Sequence, residues 1–208
     1  MALICLLSAV IVGIFSQRVG WRSFLEKQIA ENSSARRRME GLKPEQREQA
    51  LEQQTKIAAV AGYAAAVGGP PVAAVIVAAA LLGVFNLFAG TKISFPVSFA
   101  IVVYSWVPGI LGGLIGIVMV SLKDPSLIDI QNLVASNPAV FLADDSPKWM
   151  ISLLQSLDIF TIWSILLMAA GYSAAEPKKV SFGKALTMIL GVWVLYVAVK
   201  VGMAAALS

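Results

Sequence analysis

The chain has 208 residues, of which 58% are hydrophobic and only 13% charged, against roughly 25% charged in an ordinary soluble domain. Its formal charge of +4 is small and argues against nucleic acid as a partner. With no histidine and one cysteine, Cys5, the usual Cys/His zinc sites, a His-ligated haem, an intrachain disulfide and Ser-His-Asp or Cys-His catalysis are excluded, and no cofactor is expected.

This composition predicts an all-α, polytopic integral membrane helix bundle of about five transmembrane helices, with a charged helical insert between spans one and two. Span one covers residues 1–16. Its apolar part, Ala2 to Phe15, is short for a helix that needs about 20 residues to cross. Residue 1 is therefore expected not to be the native start. A signal peptide is the poorer reading, since there is no basic n-region and no small-x-small cleavage site before Gln17.

Residues 17–56 hold nine of the sixteen Lys and Arg, with six Glu. Gly41 reads as a helix stop and Pro44 as a first helical residue, and Glu52 and Lys56 stand at i,i+4. Two short surface helices fit this insert. Arg36, Arg37 and Arg38 read either as a contact for lipid head groups or a partner, or as the solvated face that most charge runs form.

A helical repeat, Ile57, Val60, Ala64 and Val67, leads into Gly68, Gly69, Pro70 and Pro71, where a kink or a fresh helix start is expected. Span two is placed at 70–89. Discontinuous helices also build transporter ion sites, but a proline opening a span is the more ordinary reading. Span three, 95–122, contains Pro108 and two overlapping G-x-x-x-G spacings, Gly109 with Gly113 and Gly112 with Gly116, which mark a close-packing face for a neighbouring helix.

The loop at 123–146 offers two starts, Asp124-Pro125 and Ser146-Pro147. The first is expected to open a short amphipathic helix with Leu127, Ile130 and Val134 on one side. Asp144 and Asp145 lack the alternating ligands and glycine of a calcium loop and read as solvated charges. Span four runs over 147–174 and span five over 182–207.

One acid, Asp158, stands inside the apolar run of span four. At about 1.5 Å per residue, an antiparallel hairpin of spans four and five brings Lys200 within about 5 Å of it in depth, and Trp163 level with Trp193. A lone charge at mid-helix costs about 2.5–3.5 kcal/mol on insertion scales. Asp158 is therefore either a proton or cation site, or a structural tie to Lys200, to Gln155 and Ser156, or to a broken backbone. Lys200 has a third option, which is to snorkel to the interface.

The segments "FPVSFAIVVYSWVPGILGGLIG", "LLQSLDIFTIWSILLMAAGYSA" and "KKVSFGKALTMILGVWVLYVAV" together resemble the Yip (Ypt-interacting protein) family of five-span membrane proteins, in particular its bacterial branch. The resemblance covers about residues 70 to 207, and "LDIFTIW" with Asp158, Phe160 and Trp163 is its most distinctive part. It implies an all-helical bundle with a cytosolic N-terminus and a far-side C-terminus. Eukaryotic relatives are associated with vesicle traffic and small GTPases, an activity not carried over to a chain with this charged insert. No catalytic residues transfer.

With five spans, the 17–56 and 123–148 loops share a side and carry eleven Lys and Arg, against four in the 90–94 and 175–184 loops. The positive-inside rule places the first pair in the cytoplasm, whereas the family pattern places it outside. The expected function is that of a non-enzymatic scaffold or accessory subunit in the bacterial cytoplasmic membrane, in contact with membrane lipid and with a membrane-protein partner or further copies of itself as a homo-oligomer. The rival is a small transporter or channel that uses Asp158 as its intramembrane ion site. Intramembrane hydrolysis ranks below both, since Asp158 has no second intramembrane carboxylate or histidine to share acid and base work.

Overall fold

A computed structural model describes residues 1–125, 128, 130, 132–143 and 146–206. Its α-helices are α1 (Ala2–Arg18), α2 (Trp21–Glu31), α3 (Ser33–Glu40), α4 (Pro44–Phe88), α5 (Phe95–Ser105), α6 (Val107–Leu122), α7 (Lys148–Ser156), α8 (Ile159–Ala175) and α9 (Phe182–Ala206), with a 3-10 turn at Pro138–Phe141. Three stretches, Pro44–Phe88, Phe95–Leu122 and Phe182–Ala206, are long and apolar enough to cross a membrane, and α1 with α2 and α7 with α8 raise the number to five if each bent pair is one span. The protein is a polytopic helical membrane protein whose outer apolar surface meets lipid.

The chain divides into two compact units. One holds Met1, Pro71–Gly112 and the residues from Val134 onward. Its core takes Ala74, Ala78, Leu81 and Phe85 from α4, Val102 from α5, Ile165, Met168 and Ala169 from α8, and Ile189 from α9. Small residues let these helices close up. A Cβ on Gly171 of α8 would lie 2.7 Å from Ile101 of α5, so only glycine fits that crossing without movement. Polar groups inside are paired. The Tyr172 ring stacks on Phe85 at 4.1 Å, its hydroxyl bonds Ser98, and Ser98 Oγ donates to the Ala78 carbonyl at 2.7 Å. α4 stops at a left-handed Gly90 (φ 61°), and Asn86 Oδ1 gathers the Thr91 hydroxyl and the Ile93 amide across that turn.

The other unit comprises Ala2–Pro70 and Gly113–Leu133. Phe15 is fully buried here with Val120 and Ile128, and Trp21 and Phe24 meet its ring edge-on. Gly20 takes φ 79° between α1 and α2, and the two helices bend by 80°. Trp21 then lies on the bare backbone of Gly62, where any Cβ would overlap its ring. Arg18 reaches the last carbonyls of α6, with 2.9 Å to that of Val120 and a further bond to that of Ser121. It thereby satisfies acceptors a helix C-terminus leaves open.

Several expectations need correction. No fresh helix start occurs at Gly68–Pro71, because α4 runs unbroken from Pro44 to Phe88; the stretch placed at 70–89 is only its second half. Gly69 has no Cβ to meet the Pro70 ring, which removes one of the clashes a proline makes in a helix, and the helix continues through Pro70 and Pro71. At Pro108 the missing amide does break the helix: Tyr104 loses its i+4 donor and Trp106, at φ −88° and ψ 5°, separates α5 from α6. The insert adds α2 and α3 and then the first turns of α4, rather than two isolated helices. Leu127 of the expected amphipathic helix, the Asp144–Asp145 pair and Leu207 lie outside the described residues; Ile128 is buried against Phe15 and Val120.

Candidate functional site

The stretch expected as one span at 147–174 is two helices bent by 46°. No proline sits at the joint. Leu157 leaves the helical region at φ −86° and ψ 38° to cap α7, and Asp158, at φ −73° and ψ 137°, is the N-cap of α8. An aspartate competes for backbone amides where a longer acid would not, so it favours a helix start over a helix interior. Asp158 is thus at a helix start and not in mid-helix.

Each exposed donor of that start has a partner. Asp158 Oδ1 accepts from the amides of Phe160 at 2.9 Å and Thr161 at 3.1 Å. The Ile159 amide donates to the carbonyl of Ser136 at 3.1 Å, while the Ser136 hydroxyl donates to Asp158 Oδ2. Ser136 therefore holds the first turn of α8 twice, through its backbone and its side chain. Next to it, Asn137 caps the 3-10 turn by accepting from the Ala139 amide at 3.2 Å.

Lys200 of α9 comes to the other side of the break. Its ammonium lies 3.2 Å from Ser156 Oγ and 3.5 Å from the Ser152 carbonyl, and Ser156 Oγ donates to that carbonyl at 2.8 Å. Among the described residues no ion pair joins Lys200 to Asp158; of the alternatives open to Asp158, the broken backbone is the one it caps, and Lys200 binds separately at the end of α7. The polarity is nonetheless consistent: the cation sits at the negative C-terminal end of α7, the anion at the positive N-terminal end of α8. Low-dielectric surroundings strengthen both arrangements.

The remaining singled-out residues disperse. Gln155 is half-buried on α7, and Trp163 is 46% exposed on α8. Gly112 faces the Phe160 ring, with 3.2 Å from a built Cβ, and Gly113 faces Leu7 at 3.3 Å, whereas Gly109 has open space and Gly116 is buried. Arg36, Arg37 and Arg38 are exposed on α3, with Arg36 3.8 Å from Glu40. The more organised charges lie elsewhere in the insert: Arg22 forks onto Glu48 at 2.7 and 3.0 Å and reaches Glu26 at 3.0 Å. The hydrogen bonds that Arg22 donates to Glu48 and Glu26 raise its pKa, and the bond from Arg22 lowers that of Glu48.

Sequence reasoning missed Ser136 and Arg18, whose partners are distant in the chain. A helix-start signal at Asp158 was present in the rule that a short acid precedes a helix, but apolar residues on both sides masked it.

Apolar spans, a span broken at Asp158 with charged groups on either side of the break, and a polar helical insert define a polytopic helical membrane protein. The model of the Yip1 domain matches residues 1–203, and the chain belongs to that family. Neither a search of curated proteins nor one of solved structures returned a match.

Proposed function

We propose that this Yip1-domain protein is a non-enzymatic scaffold or accessory subunit of the bacterial cytoplasmic membrane, working through contacts of its helices with lipid, with a membrane-protein partner or with further copies of itself. The observation that supports it is the self-sufficiency of the break. Both oxygens of Asp158 and the ammonium of Lys200 are engaged by protein groups that cap helix ends, which is what a structural joint requires. An acid–base catalyst needs a second titratable group within reach of a shared proton, and the chain has no histidine.

The transporter reading draws on the same break, because discontinuous spans with charged ends form ion sites. Two measurements separate them. Extraction into nanodiscs at native abundance, followed by mass spectrometry, is expected to recover a stoichiometric protein partner with the wild type. In reconstituted vesicles, wild type and Asp158→Asn are expected to show the same absence of pH- or cation-dependent flux. Flux in wild type that disappears in a folded Asp158→Asn variant replaces the scaffold with a transporter.

A further inference from the structure

Within the unit that holds α5 and α8, Gly171 of α8 lies against Ile101 of α5, and a groove runs beside that crossing. Pro96, Val97, Ala100 and Tyr104 of α5 and Leu167 and Gly171 of α8 line a space of about 480 Å³, within the roughly 300–1,000 Å³ of small-ligand sites. Val97 and Tyr104 on its wall are 43% and 75% exposed, so the groove is open to the surroundings. It exists because proline, alanine and glycine stand where larger side chains would close the gap.

Its length decides what fits. From Pro96 to Tyr104 the groove follows α5 for about 12 Å at about 1.5 Å per residue. It begins in the first turn of the Phe95–Leu122 span and stops short of the break at Trp106, close to half of a hydrocarbon core of about 30 Å. A spanning helix of a partner protein needs a face along the whole core, about 20 residues. An acyl chain from one leaflet needs only half of it.

The outer end of the groove carries the charge. Two turns meet there: the Lys92 amide donates to Glu176 Oε1 at 3.4 Å, and Lys179 Nζ donates to the Gly90 carbonyl at 2.6 Å. The 90–94 and 175–184 segments hold four lysines and a single acid, Glu176. Lys179 is engaged by Gly90, and Lys184 by the Lys179 carbonyl at 3.2 Å. Lys92 and Lys178 are exposed, and among the described residues neither ammonium has a protein acceptor. Lys92 precedes Pro96 by four residues, so this positive charge stands at the mouth of the groove. Basic groups beside a cleft between spanning helices suit an anionic lipid head group.

We propose that the α5–α8 groove holds one acyl chain of an anionic phospholipid whose phosphate is bound by Lys92 and Lys178. This site rests on the lipid-contact part of the reading above and gives it a place and a head-group class.

The test uses the full chain, delipidated in detergent and offered phosphatidylglycerol and phosphatidylcholine with identical acyl chains, with bound lipid read by native mass spectrometry. Wild type is expected to retain phosphatidylglycerol several-fold over phosphatidylcholine at low salt. Lys92→Gln with Lys178→Gln is expected to lose that preference, and Lys43→Gln with Lys148→Gln, which removes the same charge elsewhere, to keep it. Equal retention of both lipids by wild type, or an equal effect of the two double variants, overturns the proposal. The acyl chain is located separately: phosphatidylglycerol with a diazirine near its chain end is expected to crosslink to α5 and α8, and several-fold less in Ala100→Phe with unchanged helical circular dichroism. Crosslinks that fall mainly on other helices overturn the site, as does a photo-reactive residue at Val97 that captures a protein in place of lipid in native membranes. If the lipid preference fails while a stoichiometric protein partner is still recovered, the scaffold reading stands without this site.

Discussion

Asp158 does the work of a cap, and its worth follows from how many donors it serves. Removing an N-cap acceptor costs about 0.5–2 kcal/mol, and in lipid the amides of Phe160 and Thr161 have no water to turn to. Asp158→Ala is expected to fall in that range by thermal unfolding in detergent, while Asp158→Asn, which keeps Oδ1, loses distinctly less. Equal losses would mean that the charge, and not the cap, holds the joint. The sequence made this residue conspicuous as an acid in an apolar run; Lys200, weighed as its partner, bonds Ser152 and Ser156 of α7. The actual partner was not disclosed, because Ser136 comes from a loop whose position depends on tertiary folding. A broken backbone was one of the readings open to Asp158, and the adjacent Leu157 gave no proline or glycine to favour it.

Among the elements, the legibility of kinks turned on local sterics. Trp106 separates α5 from α6 just before Pro108, whose ring takes the i+4 donor from the Tyr104 carbonyl, whereas α4 runs on through Pro70 and Pro71. The link between α2 and α4 was not legible at all, since Arg22 and Glu48 are paired across two helices. Its dependence on acid has a definite sign. The Glu48 pKa is lowered in the fold by the bond from Arg22, so the contribution is complete above the unfolded value of about 4.3 and is lost as pH falls through the lower folded value. Protection of the α2 amides, corrected for the intrinsic exchange rate at each pH, is expected to fall below about pH 4, and by less at high salt, where the exposed pair is already screened. Arg22→Ala should exchange faster at neutral pH and lose most of the acid dependence; an unchanged acid step in that variant would assign it to another group.

For the molecule as a whole, the apolar composition and the helical repeats were sufficient to read a polytopic helical membrane protein, and the family resemblance was carried by three of its apolar segments. The number of crossings follows from whether each bent pair acts as one span. If all five cross, single cysteines replacing Arg38 and Lys123 are labelled by an impermeant maleimide from one side of the membrane, and those replacing Lys92 and Lys178 from the other. Labelling of all four from one side would leave an even number of crossings between the loops and remove the five-span arrangement. The same experiment decides between the positive-inside count and the family pattern.

Chain order gives the Ser136 clamp one more consequence. Ser136 leaves the ribosome before Asp158, so when α8 enters the membrane, the carbonyl that takes the Ile159 amide has already been synthesised. Every partner of that first turn precedes or belongs to α8, so no later segment is needed to complete it. Lys200 comes last, and only its arrival finishes the end of α7. The partners of this joint thus become available in order along the chain, the serine first and the lysine last.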